Sequence, residues 1–478
     1  MSAGAAGFDA ARLRSEPESF VQLPARTFYA IPPEELADIQ LAAARLRFET
    51  LRGRVAMLAR LAQEQDVAEI RDIADLGLLL VPHSAYKSYP LSYLENGQFD
   101  RLTRWLGNFT TSDLARVDTG GCECIDDWIV ALDRQTEVRI THSTGTSGKL
   151  SFLPRSEGEW ARVQAMMMLR LFEGYGEEPG PVVIEDFTTL PYIYPGYRYG
   201  AMGHPRAAEM FEKYWHRGNG TPIVTLHPGR LSADALSLGG RLAAAESRGE
   251  LGRLEISPKL LARRQEFLDD HAHASERFDA FMDAITRFRG QRIFLAALHT
   301  QFWDMAVEGT KRGLTGLFAP DSLFLCSGGM KGRVIPSDWE SQVTRFLGGR
   351  VREGYGMIEG MGGGPRCAHG YYHIQPWLIL FLLDPRSGAL LPRSGTQTGR
   401  LGIFDLGAWT YWGGFLSGDR VTIHWGDERP CGCGRLGPYV DADIRRYSEM
   451  EGGDDKITCA GAPEAHDRAL DFILQHIA

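Results

Sequence analysis

The stretch TEVRITHSTGTSGKL, Thr136 to Leu150, decides how this chain is read. Its first part, TEVRIT, is strand-like, rich in β-branched residues. Its second part crowds small and hydroxylated residues into Ser143, Thr144, Gly145, Thr146, Ser147 and Gly148, closed by Lys149. Successive small residues let backbone N–H groups turn toward one phosphate, and the hydroxyls add donors. Taken alone, such a segment is either a phosphate cradle or a hydroxyl-rich turn. It is not a Walker A loop. That motif places Gly six residues before its Lys and Ser or Thr directly after it, and here Ser143 and Leu150 stand there.

Working outward, 478 residues give room for two or three structural units. Apolar residues at 44% and charged residues at 24% exclude general disorder. A net charge of −9 excludes a protein built around a basic nucleic-acid footprint. The longest apolar run, Leu378 to Leu383, is too short to span a bilayer, and the first residues meet charges before a signal core could form. The expectation is a cytoplasmic protein with no nucleic-acid or membrane partner. Seven cysteines argue against a disulfide framework. Four of them, Cys122/Cys124 and Cys431/Cys433, form C-x-C pairs, which raises the question of a metal.

Apolar spacing predicts helix over residues 32–63 and again from about Glu255 to Phe288. Short β-rich runs beside Gly loops occur in TEVRITHSTG, GPVVIEDFT, TPIVTLHPG, DSLFLCSGG, WLILFLLDP and GRLGIFDLG. Strands alternating with helices indicate an α/β core. The expected organisation is a helical part over 1–130, an α/β core over 131–390, a β-rich subdomain over 391–450 and a short remnant over 451–478. The aromatic segment Phe187 to Tyr199 reads equally as an acyl or aryl pocket or as packed core.

Three further motifs follow the hydroxyl-rich loop: Ser327-Gly328-Gly329-Met330-Lys331-Gly332, then Tyr355-Gly356-Met357-Ile358-Glu359, then Ser417-Gly418-Asp419-Arg420. In this order the set resembles the adenylate-forming superfamily, with its phosphate loop, Gly-rich adenine loop, Tyr-Gly-x-Thr-Glu motif and Ser/Thr-Gly-Asp motif. Within it, Gly328 to Gly332, the Cys367-to-His373 segment CAHGYYH and the Cys431-to-Arg435 run CGCGR are similar to the branch of LuxE-type acyl-protein synthetases and phenylacetate-CoA ligase-like enzymes.

The resemblance implies an adenylate-forming α/β fold of two βαβ-type subdomains plus a small β-rich one. It implies ATP-dependent activation of an aromatic or fatty carboxylic acid as acyl-AMP, then transfer to a thiol, an amine or an acceptor protein. It assigns the loop Ser143 to Lys149 to the phosphates, with Thr146 and Lys149 acting on the reaction. Glu359 would hold Mg²⁺, a hard cation suited to carboxylate oxygen. Gly328, Gly329, Met330, Lys331, Tyr355, Gly356 and Met357 would surround the adenine, and Asp419 the ribose hydroxyls. The chain also departs from the pattern. Ile358 replaces the motif Thr, and the usual loop-closing Lys falls at Ser151. Gly452 stands in the place of the hinge Arg, and the expectation is that the mobile C-terminal domain with its catalytic Lys is missing or vestigial. Arg435, Arg445 or Lys331 are candidates for the lost positive charge. These departures leave a second reading open, a degenerate nucleotide-binding sensor or scaffold.

Cys367, His373, Cys431 and Cys433 form a three-thiolate, one-imidazole set suited to tetrahedral Zn²⁺, with His369 a rival nitrogen. Recurrence of these residues in the resembling branch implies a structural zinc pinning the segment after Glu359. Cys122 and Cys124 are expected to be inert. Cys459 stands where acyl-protein synthetases carry an acylated Cys, and reads equally as a buried strand thiol.

Overall fold

The computed structural model describes residues 8–143, 149–173, 184–249, 262, 272–328, 335–447 and 450. Its strands in chain order are β1 (Val81–Pro82), β2 (Val138–His142), β3 (Phe152–Ser156), β4 (Tyr192–Tyr199), β5 (Ile223–Arg230), β6 (Phe294–Leu298) and β7 (Leu323–Ser327). They continue with β8 (Val351–Gly356), β9 (Gly363–Pro365), β10 (Leu378–Leu383), β11 (Thr396–Asp405), β12 (Gly414–His424), β13 (Tyr439–Val440) and β14 (Arg445–Arg446). One sheet runs β5-β4-β6-β7-β8-β9, parallel from β5 to β8 and antiparallel at β9. A second runs β1-β12-β11-β10, with β13 and β14 also on β12. β2 and β3 form an antiparallel hairpin around the hydroxyl-rich loop. The architecture is the mixed α/β fold expected of adenylate-forming enzymes.

Buried strands here read as continuous apolar runs because both faces are covered. All six residues of β10, LILFLL, are buried, and β6 and β7 are buried up to their last residue. β12 instead alternates buried and partly exposed residues after Phe415, so one face meets the core and the other looks outward.

The expected helix over 32–63 is two helices, Pro33–Leu51 and Ala56–Glu64, parted around Gly53. The first buries Ile39, Gln40, Ala43, Ala44, Arg47, Phe48 and Leu51 at three- and four-residue spacing. Gln40 Nε2 donates to the Pro376 carbonyl and Arg47 Nε to the Leu406 carbonyl, so this N-terminal helix is fastened to the second sheet.

The run GPVVIEDFT is not a strand in its described part, because Ile184–Thr189 is helical. Packing decides this short segment: Phe187 enters an aromatic cluster with Phe172, Phe211, Trp215 and Phe294, and Asp186 pairs with Arg292. Of the second expected helix, Ala274–Thr286 is formed, and residues 250–261 and 263–271 lie outside the described residues. The aromatic segment after Phe187 becomes β4, in which Tyr192 packs against both Phe211 and Phe294, themselves 5.5 Å apart. No helix among the described residues is long and apolar enough to cross a membrane.

The helix Ile125–Gln135 feeds β2, and its start is set by a reciprocal cap with the helix Ala233–Arg248. Asp234 accepts the N–H groups of Ile125 and Asp126, both at 2.9 Å. Asp126 in turn accepts Ala233 N–H at 2.8 Å and the Ser232 hydroxyl at 2.6 Å. Each helix start, with its orphan N–H groups, is thus satisfied by the other's carboxylate.

Burial, aided by the Asp126 charge, pushes the Asp234 carboxyl up to about 7. A raised carboxyl contributes stability that is fully present below the unfolded range near ~3.9 and is lost as pH rises through about 7. Asp126→Asn keeps an oxygen for Ala233 N–H and an amide for Ser232 while removing the charge. Urea unfolding across pH 5 to 8 should show wild-type stability falling with pH and the Asp126→Asn slope markedly shallower.

Candidate functional site

The hydroxyl-rich loop leaves the hairpin through a tight neck. Ser143 N–H donates to the Ser151 carbonyl at 3.2 Å, and Ser151 N–H to the Ser143 hydroxyl at 3.0 Å. Thr144, Gly145, Thr146, Ser147 and Gly148 lie outside the described residues, as do Gly329, Met330, Lys331 and Cys459. Lys149 turns back: its ammonium donates to the Tyr89 carbonyl at 2.6 Å and lies over the Tyr89 ring. Burial lowers its pKa.

At the C-terminal edge of the parallel strands, where open α/β sheets bind ligands, β7 runs into Gly328 at φ +78, a left-handed conformation that favours glycine. His299, just after β6, holds the Gly328 carbonyl through Nδ1 at 2.5 Å. Its Nε2 faces Glu353 on β8 at 3.4 Å, and Glu353 is paired with Arg366 at 2.7 Å. These contacts tie Gly328, at the start of the Gly-rich motif, to β8.

β8 ends on Tyr355 and Gly356. The Tyr355 hydroxyl donates to Asp419 Oδ2 at 2.7 Å, and Tyr372 lies 5.9 Å away on its ring. Asp419 sits on the core-facing side of β12 and is 7% exposed. Register sets it opposite Arg446 on β14, whose Nε is 3.6 Å from Asp419 Oδ1. Gly363 on β9 approaches so closely that a Cβ would meet the Tyr355 carbonyl at 2.8 Å. Met357, with Tyr355 and Gly356, lines a small apolar hollow closed by Ile374, Leu378 and Ile403.

Glu359 lies in the turn between β8 and β9. Burial raises its pKa, and the nearby Asp419 charge adds to the rise, against Arg446 and Arg155. Arg155, on β3, is 2% exposed. One of its nitrogens donates to the Ile358 carbonyl and its Nε to the Tyr411 hydroxyl at 3.3 Å. Tyr411 in turn approaches the Glu359 carbonyl at 3.5 Å. Asp405, buried and raised to about 6 by desolvation, accepts Met361 N–H at 2.6 Å and fixes the far side of the turn. Glu359 and Asp419 therefore lie within the fields of Arg155 and Arg446, with Asp419 and Arg155 buried and Glu359 and Arg446 partly exposed. The arrangement can hold an anionic ligand beside a cation without net excess of either sign.

The structure brings Tyr355, Glu359 and Asp419 together, while Arg435 lies elsewhere, stacked on Tyr29 at 5.4 Å. Arg445 points to Asp443 at 2.8 Å, away from Asp419. Sequence reading missed Arg155 and Arg446. An Arg inside the apolar run Phe152–Ser156 is a signal of a buried charge, but nothing in the sequence names its partners.

The metal candidates also converge. The ligand atoms of Cys367, His373, Cys431 and Cys433 all lie within 4.8 Å of one another. Cys367 and Cys431 sulfurs are 3.9 Å apart, and Cys433 Sγ is 3.2 Å from His373 Nε2. Tetrahedral Zn–S bonds of ~2.3 Å would space ligands by about 3.8 Å, so the donor set fits that ion. Hydrogen bonds from Cys367 and from His373 lower the Cys433 thiol strongly, whereas burial raises Cys431. His369 instead lies over Gly432, where a Cβ would meet its Cε1 at 2.8 Å. Cys124 is buried and its thiol raised, first by desolvation and then by Asp234.

Comparison with known proteins bears on the fold. No protein-family model and no curated protein matches the sequence. A 2-hydroxyisobutyryl-CoA ligase, solved with 2-HIB-AMP and CoA in the thioesterification state, superposes with a TM-score of 0.51. It is 13% identical over 88% of this chain and 70% of that one. The same ligase in an open conformation with 2-HIB-AMP and CoA gives a TM-score of 0.49 at 14% identity, over 88% of this chain and 72% of that one.

Arg155→Met would strip the Ile358 carbonyl and the Tyr411 hydroxyl of a charged partner. A loss of about 2–4 kcal/mol in urea unfolding is expected, with Arg155→Lys recovering part of it.

Proposed function

We propose that this chain activates a carboxylic acid with ATP, forming an acyl adenylate and releasing pyrophosphate, and then passes the acyl group to a thiol or amine. The observation that carries this reading is the convergence of Tyr355 and Glu359 with Asp419, from two different sheets, at the C-terminal edge of the parallel strands. The order of the motifs supports it, as does a fold shared with a ligase whose structure contains 2-HIB-AMP and CoA. Membership of the acyl-protein synthetase-like branch rests on the CGCGR and CAHGYYH segments. Free thiols at all six described cysteines suit a reducing cytoplasm.

In this reading a substrate carboxylate oxygen attacks the α-phosphorus, the bond to the β-phosphate oxygen breaks, and pyrophosphate leaves. The loop Ser143 to Lys149 holds the β- and γ-phosphates through N–H groups and hydroxyls. Tyr355 lies against the adenine, with Tyr372 behind it. Asp419 keeps acceptor sites for the ribose hydroxyls beyond the one Tyr355 uses. Glu359 fits Mg²⁺: among the described residues no other side chain hydrogen-bonds its carboxylate, and such sites combine one or two carboxylates with substrate phosphates. The ion would neutralise phosphate charge. Arg155 and Arg446 keep two carboxylates tolerable beside an anionic substrate.

Two observations favour the second reading, a nucleotide-binding sensor or scaffold. Lys149 is engaged by the Tyr89 carbonyl, and Ile358 supplies no hydroxyl. Acid-dependent exchange of pyrophosphate into ATP, with a panel of fatty and aromatic acids, separates the two. Exchange absent with every acid would leave the sensor reading.

Glu359→Gln should cut exchange by at least about a hundredfold, the several kcal/mol expected of lost metal-held charge stabilisation, while the circular dichroism spectrum is retained. Wild-type exchange in this variant would remove Mg²⁺ from that carboxylate.

The Cys367, His373, Cys431 and Cys433 cluster is read as a structural zinc centre. Metal analysis should give close to one zinc per chain. Cys431→Ser with Cys433→Ser should lose the zinc and lower the thermal midpoint, because structural zinc adds folding free energy. Zinc-free protein of undiminished stability would reduce these cysteines to packing residues.

A further inference from the structure

His299 is the first residue of the helix His299–Lys311, directly after β6, and its side chain is 16% exposed. Both of its ring nitrogens face oxygens that can only accept. Nδ1 lies 2.5 Å from the Gly328 carbonyl, and Nε2 lies 3.4 Å from Glu353 Oε1. A neutral imidazole carries one N–H, so one of its nitrogens would turn a lone pair toward an oxygen. With the proton on Nδ1, the bare nitrogen meets a carboxylate. With the proton on Nε2, the bare nitrogen meets a carbonyl oxygen at 2.5 Å. Only the doubly protonated ring donates on both sides.

The surrounding groups bear on that charge. The segment after β9 supplies Arg366, 2.7 Å from Glu353 Oε2, and the Tyr372 hydroxyl, which donates to the same oxygen at 3.4 Å. Arg366 also lies 3.8 Å from Glu340 on the helix Trp339–Leu347, so two carboxylates stand against two cations, His299 included. Trp339 of that helix packs edge-on against the imidazole, with ring centroids 5.2 Å apart, and restrains its rotation. β7 places Cys326 in register with Glu353, and burial pushes that thiol up, so it stays neutral. The N-terminus of its own helix opposes a cation at His299, whereas the facing carboxylate and carbonyl favour one. Burial works against the Glu353 charge, but His299 and Arg366 outweigh it and hold the carboxyl below its ordinary range.

We propose that His299, as an imidazolium, is a positioning residue of the nucleotide site, clamping the Gly328 carbonyl to Glu353 and so fixing the peptide that opens the Gly-rich motif. The inference rests on the acid-activation reading, in which that motif surrounds the adenine, and adds to it a dependence of nucleotide affinity on pH. Gly328 is itself confined: it sits at φ +78, and a Cβ there would meet Leu298 Cδ2 at 2.9 Å. The far end of the clamp reaches the other wall of the site. Glu353 precedes Tyr355 by two residues on β8, so both lie on one face of that strand. Tyr372 touches Glu353 and lies 5.9 Å from the Tyr355 ring. When the Nε2 proton leaves for solvent, the ring keeps Gly328 but turns a lone pair on Glu353, and the clamp opens. Affinity held this way is present at low pH and is lost as pH rises through the imidazole range, ordinarily near ~6.5.

The test uses the full chain and ATP with magnesium, without acid, in isothermal titration calorimetry. Near pH ~6 the wild type should bind ATP at least about tenfold more tightly than His299→Asn, the worth of a charged hydrogen bond. Near pH ~8.5, above the imidazole range, that advantage should fall below about threefold. Titration of the ATP phosphates is common to both chains and cancels in the ratio. Glu353→Gln removes the charge facing Nε2 and should lose the same advantage, a second reading if His299→Asn fails to fold. Nitrogen NMR of the nucleotide-free protein with labelled histidine, the His299 signals identified by their loss in His299→Asn or their shift in Glu353→Gln, should show both ring nitrogens protonated near pH ~6. A neutral His299 ring at that pH, or an affinity ratio that does not change with pH, overturns the proposal. So does wild-type pH dependence in Glu353→Gln. ATP binding absent from the wild type at every pH would sink the nucleotide reading itself, and the NMR signal keeps that failure apart from failure of the imidazolium.

Discussion

The structure around the candidate site depends on one buried guanidinium. Arg155 is withdrawn from water on a strand whose residues are all buried, and a charge so placed must be surrounded by acceptors. It finds them in the Ile358 carbonyl and the Tyr411 hydroxyl, and in the fields of Glu159 and Asp405. Through these contacts the hairpin β2–β3, the turn bearing Glu359 and the segment before β12 hold one another in place. A neutral residue of equal volume could fill the space but could not fix the turn's carbonyl.

The second constraint is that the two sheets meet through polar groups. Tyr355 ends a strand of one sheet and Asp419 lies within a strand of the other, and their hydrogen bond spans the junction. Asp419 and Glu359 are close enough for each charge to oppose the other's, and Arg446 and Arg155 offset them. Such a four-charge group is an expensive way to join two sheets. Retaining it makes sense where a further anion and a cation are to be accommodated.

Much of this was legible in the sequence, because the legible parts are local. A hydroxyl-rich loop after a strand, a Tyr-Gly turn and a C-x-C pair each declare themselves within a few residues. Their convergence was legible only through resemblance, since Tyr355 and Asp419 are separated by 64 residues. Arg155 and Arg446 stayed hidden because a lone Arg in a sequence does not name its partner. The helix Ile184–Thr189 was misread as strand, since a short segment with one buried aromatic satisfies either period and packing decides. Lys149 was read for its charge alone, yet in the structure it answers a backbone carbonyl of a preceding segment.

The fastening of the N-terminal helix Pro33–Leu51 has a consequence for how the protein is made. Gln40 reaches its partner across 336 residues of sequence and Arg47 across 359, and β1 pairs with β12. On the ribosome this helix emerges long before the sheet that covers it. With residues added at ~5–20 per second, its apolar stripe stays exposed for roughly 20 seconds or more. During that interval the nascent chain is a natural client for chaperones that shield hydrophobic surface. Final closure waits on contacts of high sequence separation, the slowest kind to form.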